Sequence, residues 1–453
     1  MPPSTAPGEA QPTGYVRRLG VFDATMLVIG GIIGAGIFLN PAVVAARVGT
    51  PGLTVGVWVL GGAVALAGAL VFAELGARKP QAGGGYIYLR DALGPLPGFL
   101  YGWTELLVIN SGGIAAVGVT FASYAAALLR LPDSTIAPMA IAAIALLSAV
   151  NYLGVRPGSV VQNIFTVLKL LALAALIVAG LMLTGHAPVI AAPPPPVRNV
   201  WGSIAVTGTA LVPVLFAYGG WQSTNFVAGE LRNPGRDLPK ALLLGVAAVV
   251  TVYVLANIVY VKVLGVAGLA QSTAPASDVM RAVLGPAGAT FIAIGIAVSA
   301  FGFLNLCILA APRVYQTMAA DGLFFGKAAE LHQRYHVPAV ALLIQAGWAI
   351  LLVATKTYGQ LLDYVVFGDW IFFGLVGVTL WYYRRKRIGD PAPFVTPGFP
   401  WVPAFFVAAA AFTVISTVLS NPGNALLGGA IIAAGIPVYL FWRSRRPNGA
   451  SRP

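Results

Sequence analysis

Apolar residues run in long blocks from residue 19 to residue 442, parted by short connectors rich in Arg, Lys, Gly and Pro. A helix of about 20 apolar residues covers the roughly 30 Å hydrocarbon layer of a bilayer. The pattern predicts twelve such helices, at 19–46, 52–76, 97–129, 135–153, 160–184, 205–230, 239–262, 289–318, 337–355, 360–383, 400–420 and 424–442. An even number of crossings returns both chain ends to one side.

Two blocks carry interruptions of their own. In the first, Val28-Ile29-Gly30-Gly31-Ile32-Ile33-Gly34-Ala35-Gly36-Ile37-Phe38 puts four glycines in seven positions, each costing about 1 kcal/mol relative to alanine in a helix. In the sixth, Phe216-Ala217-Tyr218-Gly219-Gly220-Trp221 is a second breaker cluster. Segments broken in corresponding places of two halves point to a transporter substrate site near the membrane midplane. Gly30 and Gly34 also form a GxxxG pair, so close helix packing stands beside the break as a reading of Gly30. Gly34-Ala35-Gly36 carries a different chemistry, because an unwound turn there exposes amide N–H groups able to hold a carboxylate.

Spans 1–5 and 6–10 show the same order, a glycine-broken first member followed by four more. Five is odd, so the second set begins on the opposite face and is inverted in the membrane, with spans 11 and 12 peripheral. The expected organisation is a tail (1–18), a first five-helix repeat (19–184) and an outer loop (185–204) stiffened by Pro193-Pro194-Pro195-Pro196. A second repeat (205–383), a basic loop (384–399), helices 11 and 12 (400–442) and a tail (443–453) follow. No soluble segment is long enough to fold separately. The connector at 78–86 predicts a compact turn and a short helix over 86–93. Pro239 is placed in the first turn of span 7, and Met318–Phe325 is apolar enough to lie against the membrane.

Composition narrows the class. The 453 residues are 58% hydrophobic and 9% charged, with mean hydropathy +0.84, which is foreign to ordinary soluble proteins. The net charge of +13 does not make a nucleic-acid surface, because the basic residues punctuate apolar runs instead of forming a patch. With both termini cytoplasmic, inner loops and tails hold twenty basic residues, including Arg384-Arg385-Lys386-Arg387, and the outer side holds six. That is the positive-inside asymmetry. Only Lys169 is left over, inside span 5. Residues 1–18 contain no apolar run and read as a cytosolic tail, not a signal peptide.

The single cysteine, Cys307, permits no intramolecular disulfide, and no disulfide-linked accessory subunit and no cofactor are expected. His186, His332 and His336 cannot complete a zinc site, which argues against an enzyme. No repeated filter motif suggests a channel, and a scaffold needs neither a lysine at midplane nor two broken helices. The apolar runs make the lipid bilayer the one certain partner.

In order along the chain, these motifs resemble the amino acid–polyamine–organocation superfamily, closest to bacterial relatives of the L-type and cationic amino acid transporters. The resemblance rests on Ile29–Phe38, Glu74 with Pro80 and Gly83-Gly84-Gly85-Tyr86, and Phe216–Trp221. It continues through Glu230 with Asn233-Pro234, Arg236 and Pro239, and through Arg313 with Met318-Ala319 and Asp321-Gly322. It implies an all-α, inverted-repeat core in a bacterial inner membrane that moves amino acids by proton symport or sodium-independent exchange.

It also implies site roles. The α-carboxylate falls to the amides of Gly34, Ala35 and Gly36, and the α-ammonium to carbonyls near Ile32, Phe216, Ala217 and Gly219. Phe216 resembles an aromatic gate, although on its own it reads as a core aromatic, and Trp221 either lines the cavity or packs. Lys169 takes the place of a sodium ion, its amine reaching span 1 near Gly31 and Ser299 in span 8.

Glu105 in span 3 is a proton carrier, a group favouring cationic side chains, or a protonated acid bonded to a neighbouring helix. Glu230, Arg232 and Asp23 read as gate or loop-anchoring charges. Asn110, Ser111, Asn305, Tyr364 and Asp369 are chamber candidates for which a helix–helix hydrogen bond is the plainer account. Few acidic groups sit in the spans, so neutral substrates are favoured, and because burial lowers a lysine's hold on its proton, Lys169 makes proton-linked uptake of neutral L-amino acids the favoured reading. Obligate exchange, and transport of cationic amino acids or polyamines, stand as alternatives.

The orientation is open to a labelling test. With Cys307 replaced, Pro196→Cys should react with an impermeant thiol reagent on intact cells while Lys386→Cys stays unlabelled. The reverse pattern would invert the topology.

Overall fold

The computed structural model describes residues 14–183, 200–356, 358–389 and 391–445, with the backbone alone for 200–205 and 358–366. The polyproline connector, His186 and most of both tails lie outside the described residues, as does the side chain of Tyr364. The described chain is an all-α, multi-pass bundle.

The first apolar block is two helices, α1 (Val21–Ile32) and α2 (Gly36–Val48), bent by 41° at Ile33–Ala35. Next come α3 (Pro51–Arg78), the short α4 (Gly85–Leu93) at the expected place, and α5 (Pro95–Thr104). A π turn over Glu105–Ile109 leads into α6 (Asn110–Leu129), followed by α7 (Ile136–Tyr152) and α8 (Val155–Met182). After the outer connection come α9 (Val200–Tyr218), α10 (Ser223–Phe226) and α11 (Pro234–Gln271). Then follow α12 (Pro275–Ala310), α13 (Pro312–Ala320), α14 (Ala339–Ala354), α15 (Tyr358–Lys386), α16 (Trp401–Ser420) and α17 (Pro422–Ser444).

Among the described residues, eight helical segments are long and apolar enough to cross a membrane, or nine if the bent pair is one span. Three expected spans fall outside that set for local reasons. The described apolar part of α9, Val206–Tyr218, stops early at the second break, and Ala339–Ala354 is short. The sequence of α15 includes Asp363, Asp369 and a basic end.

Several expected boundaries move. Span 5 begins at Val155, because Gly154 at φ 129° turns the chain and the helix starts directly after it. Pro234, not Pro239, opens α11. Pro239 sits one turn further in and forgoes a single early hydrogen bond. Left-handed glycines inside α11 and α12, Gly265 (φ 66°) and Gly285 (φ 70°), turn the chain outside the expected cores of spans 7 and 8. Most apolar side chains of the 318–325 connector turn into the protein. Met318, Leu323 and Phe324 are buried in the core, and exposed Phe325 packs edge-on against Trp442.

Small residues let the helices meet. α11 packs on α3 and α1, α12 on α8 and α6, and α2 on α9. A methyl group on Gly61 of α3 would lie 2.4 Å from Val214 Cγ1, and one on Gly62 would lie 2.7 Å from Val250 Cγ1. In lipid, where burial between helices gains little from water exclusion, close van der Waals contact of this kind carries association.

One end of the bundle gathers the basic connectors and is tied by charge. Glu74, fully buried, receives Arg384 Nε and Nη2 at 3.0 and 2.6 Å, Arg78 Nε at 3.0 Å and the Thr396 amide at 2.8 Å. Asp321 accepts from Tyr86 Oη at 2.7 Å and Arg90 Nη1 at 2.6 Å. The segment before α1 pairs with the one before α11. Arg18 and Leu19 donate to the Glu230 carbonyl at 2.9 and 3.0 Å, and Arg232 donates back to Leu19 at 2.9 Å.

Removing one partner of a buried pair costs about 3–5 kcal/mol when a charge is left unpaired. Arg384→Ala should therefore lower the thermal unfolding midpoint in detergent more than Arg78→Ala, which leaves the bidentate pair in place. Equal midpoints would show that Glu74 is not held mainly by Arg384.

Candidate substrate site at the two helix breaks

The first break follows from where hydrogen bonds stop. Ile33 donates to Ile29 at 2.9 Å, ending α1, and Gly34 donates to Ile32 at 2.9 Å. The α2 ladder begins only at Phe38, which bonds Ala35 at 3.1 Å. The amides of Ala35, Gly36 and Ile37 thus open a helix before any acceptor of its own is available. Ala35 and Gly36 are half-buried. Of the three amides expected to hold a carboxylate, that of Gly34 is already engaged. Ala35 and Gly36 are joined instead by Ile37.

The second break mirrors it. α9 stops at Tyr218, Gly219 donates to Phe216 at 3.2 Å, and Gly220, at φ 105°, donates to Gln222 Oε1 at 2.9 Å. The breaks are pressed together. A methyl group on Gly220 would lie 2.0 Å from the Gly31 oxygen, and one on Gly36 would lie 2.9 Å from Ala217 Cβ. Gly30 serves helix packing, since a methyl group there would meet Gln162 Nε2 of α8 at 2.0 Å.

The carbonyl ends have dedicated partners. Lys169, fully buried on α8, donates to Gly30 O at 3.2 Å and to Ile33 O at 2.6 Å. Ser299 Oγ of α12 lies 3.2 Å from both Ile33 O and Gly34 O. Lysine and serine therefore meet at the Ile33 carbonyl, two residues on from the expected Gly31. Tyr253 of α11 was missed in the sequence, where it is one of 16 tyrosines. Its hydroxyl lies 3.0 Å from Ile32 O and 3.2 Å from Ala217 O, clasping two of the carbonyls assigned to the α-ammonium.

The aromatic residues divide. Phe216 is 42% exposed beside the break, and Phe303 of α12 lies 3.5 Å from where a Gly34 methyl would stand. Trp221 is a correction, because it belongs to packing and not to the cavity. Its indole is buried among Phe72, Phe373 and Phe406, with centroids at 4.8, 5.6 and 6.2 Å.

The remaining polar residues lie elsewhere. Asn305 makes helix–helix hydrogen bonds, the plainer of its two readings. It donates to Gly158 O at 3.0 Å and Gln162 Oε1 at 3.1 Å and accepts from Asn151 at 2.9 Å, joining α12 to α7 and α8. Glu230 pairs with Arg313 at 2.7 Å, both buried, under the 18–19 segment. Arg232 contributes its backbone to that pairing, and Asp23 caps Gly20 and accepts from Asn163. Glu105, in the π turn, accepts from Asn110. Among the described residues no three His, Cys, Asp or Glu side chains form a metal set.

A bundle with two facing backbone breaks, one tied by a buried lysine, defines a membrane carrier. The chain belongs to the amino acid permease family, whose model matches residues 19–442, within the amino acid–polyamine–organocation superfamily. It is 30% identical over 438 residues to the serine/threonine exchanger SteT of Bacillus subtilis (strain 168), covering 96% of this chain and 99% of that one. It is 31% identical over 430 residues to the mouse b(0,+)-type amino acid transporter 1, covering 92% and 86%. To the mouse large neutral amino acids transporter small subunit 2 it is 33% identical over 442 residues, covering 95% and 82%. It is a multi-pass amino acid transporter and not an enzyme.

The crowding at the break gives a direct test. Gly36→Val, pressed against Ala217, should abolish amino acid binding measured by scintillation proximity. Gly56→Val, where a side chain meets nothing within 4 Å, should leave binding intact. Binding by the Gly36 variant at wild-type affinity would remove the α2 N-terminus from the site.

Proposed function

We propose that this protein is a sodium-independent, obligate exchanger of amino acids in the bacterial inner membrane, working by alternating access with both termini cytoplasmic. The reading takes α1–α2 and α9–α10 as the broken first helices of two inverted five-helix repeats within twelve spans, with α16 and α17 peripheral. The repeats are 19–184 and 205–383, joined by the outer loop 185–204. Residues 384–399 form an inner basic loop, 400–442 the peripheral pair, and 1–18 and 443–453 the cytoplasmic tails.

The α-carboxylate sits on the amides of Ala35, Gly36 and Ile37, where aligned N–H groups replace lost water. The α-ammonium shares the Ile32, Phe216, Ala217 and Gly219 carbonyls near Tyr253, and the side chain faces Phe216 and Phe303. Exposed Phe216 and the closed Leu19–Leu231 seam fit an outward-facing state.

The observation that carries the reading is Lys169, whose amine is buried and bonded to two carbonyls of the first break. A tethered charge there makes a mobile sodium ion redundant, and its tight bonding suits a permanent strut. Proton-linked uptake, favoured by sequence alone, gives way on two counts. Lys169 is engaged as a strut, and a relative aligned over nearly the whole chain is named an exchanger. Serine, threonine and large neutral amino acids, named in the relatives, are the first substrates to try.

Uptake into sodium-free proteoliposomes should require internal amino acid and be unchanged by an inward proton gradient. Lys169→Ala should lose every transport mode. Accumulation into empty vesicles driven by the gradient would restore the proton-coupled reading, and strict sodium dependence would defeat both.

A further inference from the structure

The end of the bundle opposite the Glu74 and Asp321 ties carries a groove built by residues with no part in either helix break. α12 begins there as an arm, 275–284, that Gly285 (φ 70°) turns back onto the span. The arm lies close, since a methyl group on Gly288 would stand 2.4 Å from Met280 O and 2.7 Å from Leu284 Cβ. Ser277 and Arg281, four residues apart, share one face of the arm. They overhang a cavity of about 570 Å³ whose walls include Tyr124 and Leu128 at the end of α6, and Thr290 and Ala293 of α12. Binding pockets for small molecules run to about 300–1,000 Å³.

The polar groups of this cavity are donors. Arg281 is exposed and makes no ion pair or hydrogen bond among the described residues. Other basic side chains at this end are committed, Arg47 to Thr209 O and Lys262 to Leu181 O. Asp278, the acid nearest to Arg281 in the chain, accepts from Ser272 Oγ at 2.6 Å, and no carboxylate lines the cavity. The Tyr124 and Ser277 hydroxyls, both half-buried, have no hydrogen-bond partner among the described residues. Thr290 Oγ1 donates to Pro286 O at 3.2 Å. The mouth of the groove thus offers one cation and two free O–H donors, with no anion.

Deeper in the span the same seam becomes apolar. Phe121, one turn before Tyr124 on α6, meets Phe301 of α12 with ring centroids 4.9 Å apart. Phe301 meets Phe165 of α8 at 4.9 Å as well. Ile294 stands one turn after Thr290 on α12 and is exposed, as is Phe291 beside it. Leu129 and Leu284 are exposed at the rim. A seam that is cationic at its mouth and aromatic and aliphatic below matches the two ends of an amphiphile.

A guanidinium presents paired N–H groups that suit phosphate oxygens, and basic pockets between spanning helices hold anionic headgroups. A free amino acid is a poorer occupant, because its ammonium finds no carboxylate among the lining residues. A zwitterionic headgroup meets the same want. We propose that this groove binds an anionic phospholipid from the leaflet at that end of the bundle. Its phosphodiester rests on Arg281, Ser277 and Tyr124, and an acyl chain runs along Phe121, Ile294 and Phe301. The lipid joins the arm of α12 to the end of α6.

The test is photocrosslinking of the full-length protein in phosphatidylcholine vesicles. These carry a trace of phosphatidylglycerol or of phosphatidylethanolamine with a diazirine in one acyl chain, and adducts are mapped by peptide mass spectrometry. Adducts at Phe121, Ile294 and Phe301 should be enriched for the phosphatidylglycerol probe over the phosphatidylethanolamine one. Arg281→Gln should cut that enrichment about fivefold, the worth of one basic residue near a membrane surface. Adducts at the basic end of the bundle should not change and serve as the internal reference. Ala293→Phe, which fills the groove and leaves Arg281 in place, should remove the same adducts. Free glycerol phosphate should not compete. Equal labelling by the two probes, or labelling indifferent to Arg281→Gln, would overturn the proposal. So would competition by glycerol phosphate, which would make the groove a site for free anions. The wild-type comparison of the two probes decides even if a variant fails to fold. No transport is measured, so this outcome and that of the exchange reading are separately visible.

Discussion

The arrangement depends on one contact in which two backbones touch with no side chain between them. The Gly31 carbonyl and Gly220 are so close that a single methyl group has no room. Two helices can each unwind at the same depth only if the unwound strands shelter one another, because unpaired peptide groups in hydrocarbon are expensive. The contact fixes the lateral distance between the halves of the chain and leaves the α2 amides at the edge of a half-open space. Neither break could be moved along its helix without losing the other.

The carbonyls freed by the break are handled by three helices that run without interruption where they pass it. Lys169 from α8, Ser299 from α12 and Tyr253 from α11 converge on Gly30, Ile32, Ile33, Gly34 and Ala217. The α1 end and the α9 end thereby share one hydroxyl. A motion that separates them must break or transfer that hydroxyl's bonds, so the unbroken helices register the state of the breaks. Opening at the substrate site is in this sense reported to the scaffold by named atoms.

Much of this was legible in the sequence, and the reasons differ by residue. The helix breaks could be read because glycine runs are rare inside apolar helices and their cost is local. Lys169 could be read because a lysine at that depth demands partners. Tyr253 could not, since a tyrosine in an apolar span looks the same whether its hydroxyl serves a carbonyl or the interface. Trp221 misled for the opposite reason. It follows the break in sequence, but the turn at Gly220 swings it into the Phe72–Phe373 cluster. Helix ends set by a left-handed glycine or an N-terminal proline shifted by several residues, as at Gly154 and Pro234, because hydropathy does not change there.

The seam between Leu19 and Leu231 has a consequence for how this chain can vary. Its bonds run between main-chain atoms, from Arg18 and Leu19 to Glu230 and from Arg232 to Leu19. A closure built from peptide groups is indifferent to the exposed side chains that flank it, so residues 17 and 18 can drift among polar and apolar types while buried Leu19 stays apolar. Proline is the exception, because at 18, 19 or 232 it deletes a donor. Fusions and tags placed ahead of residue 14 leave those donors in place, whereas a deletion reaching Leu19 removes the strand itself. The same economy makes the seam easy to overlook when chains are compared residue by residue.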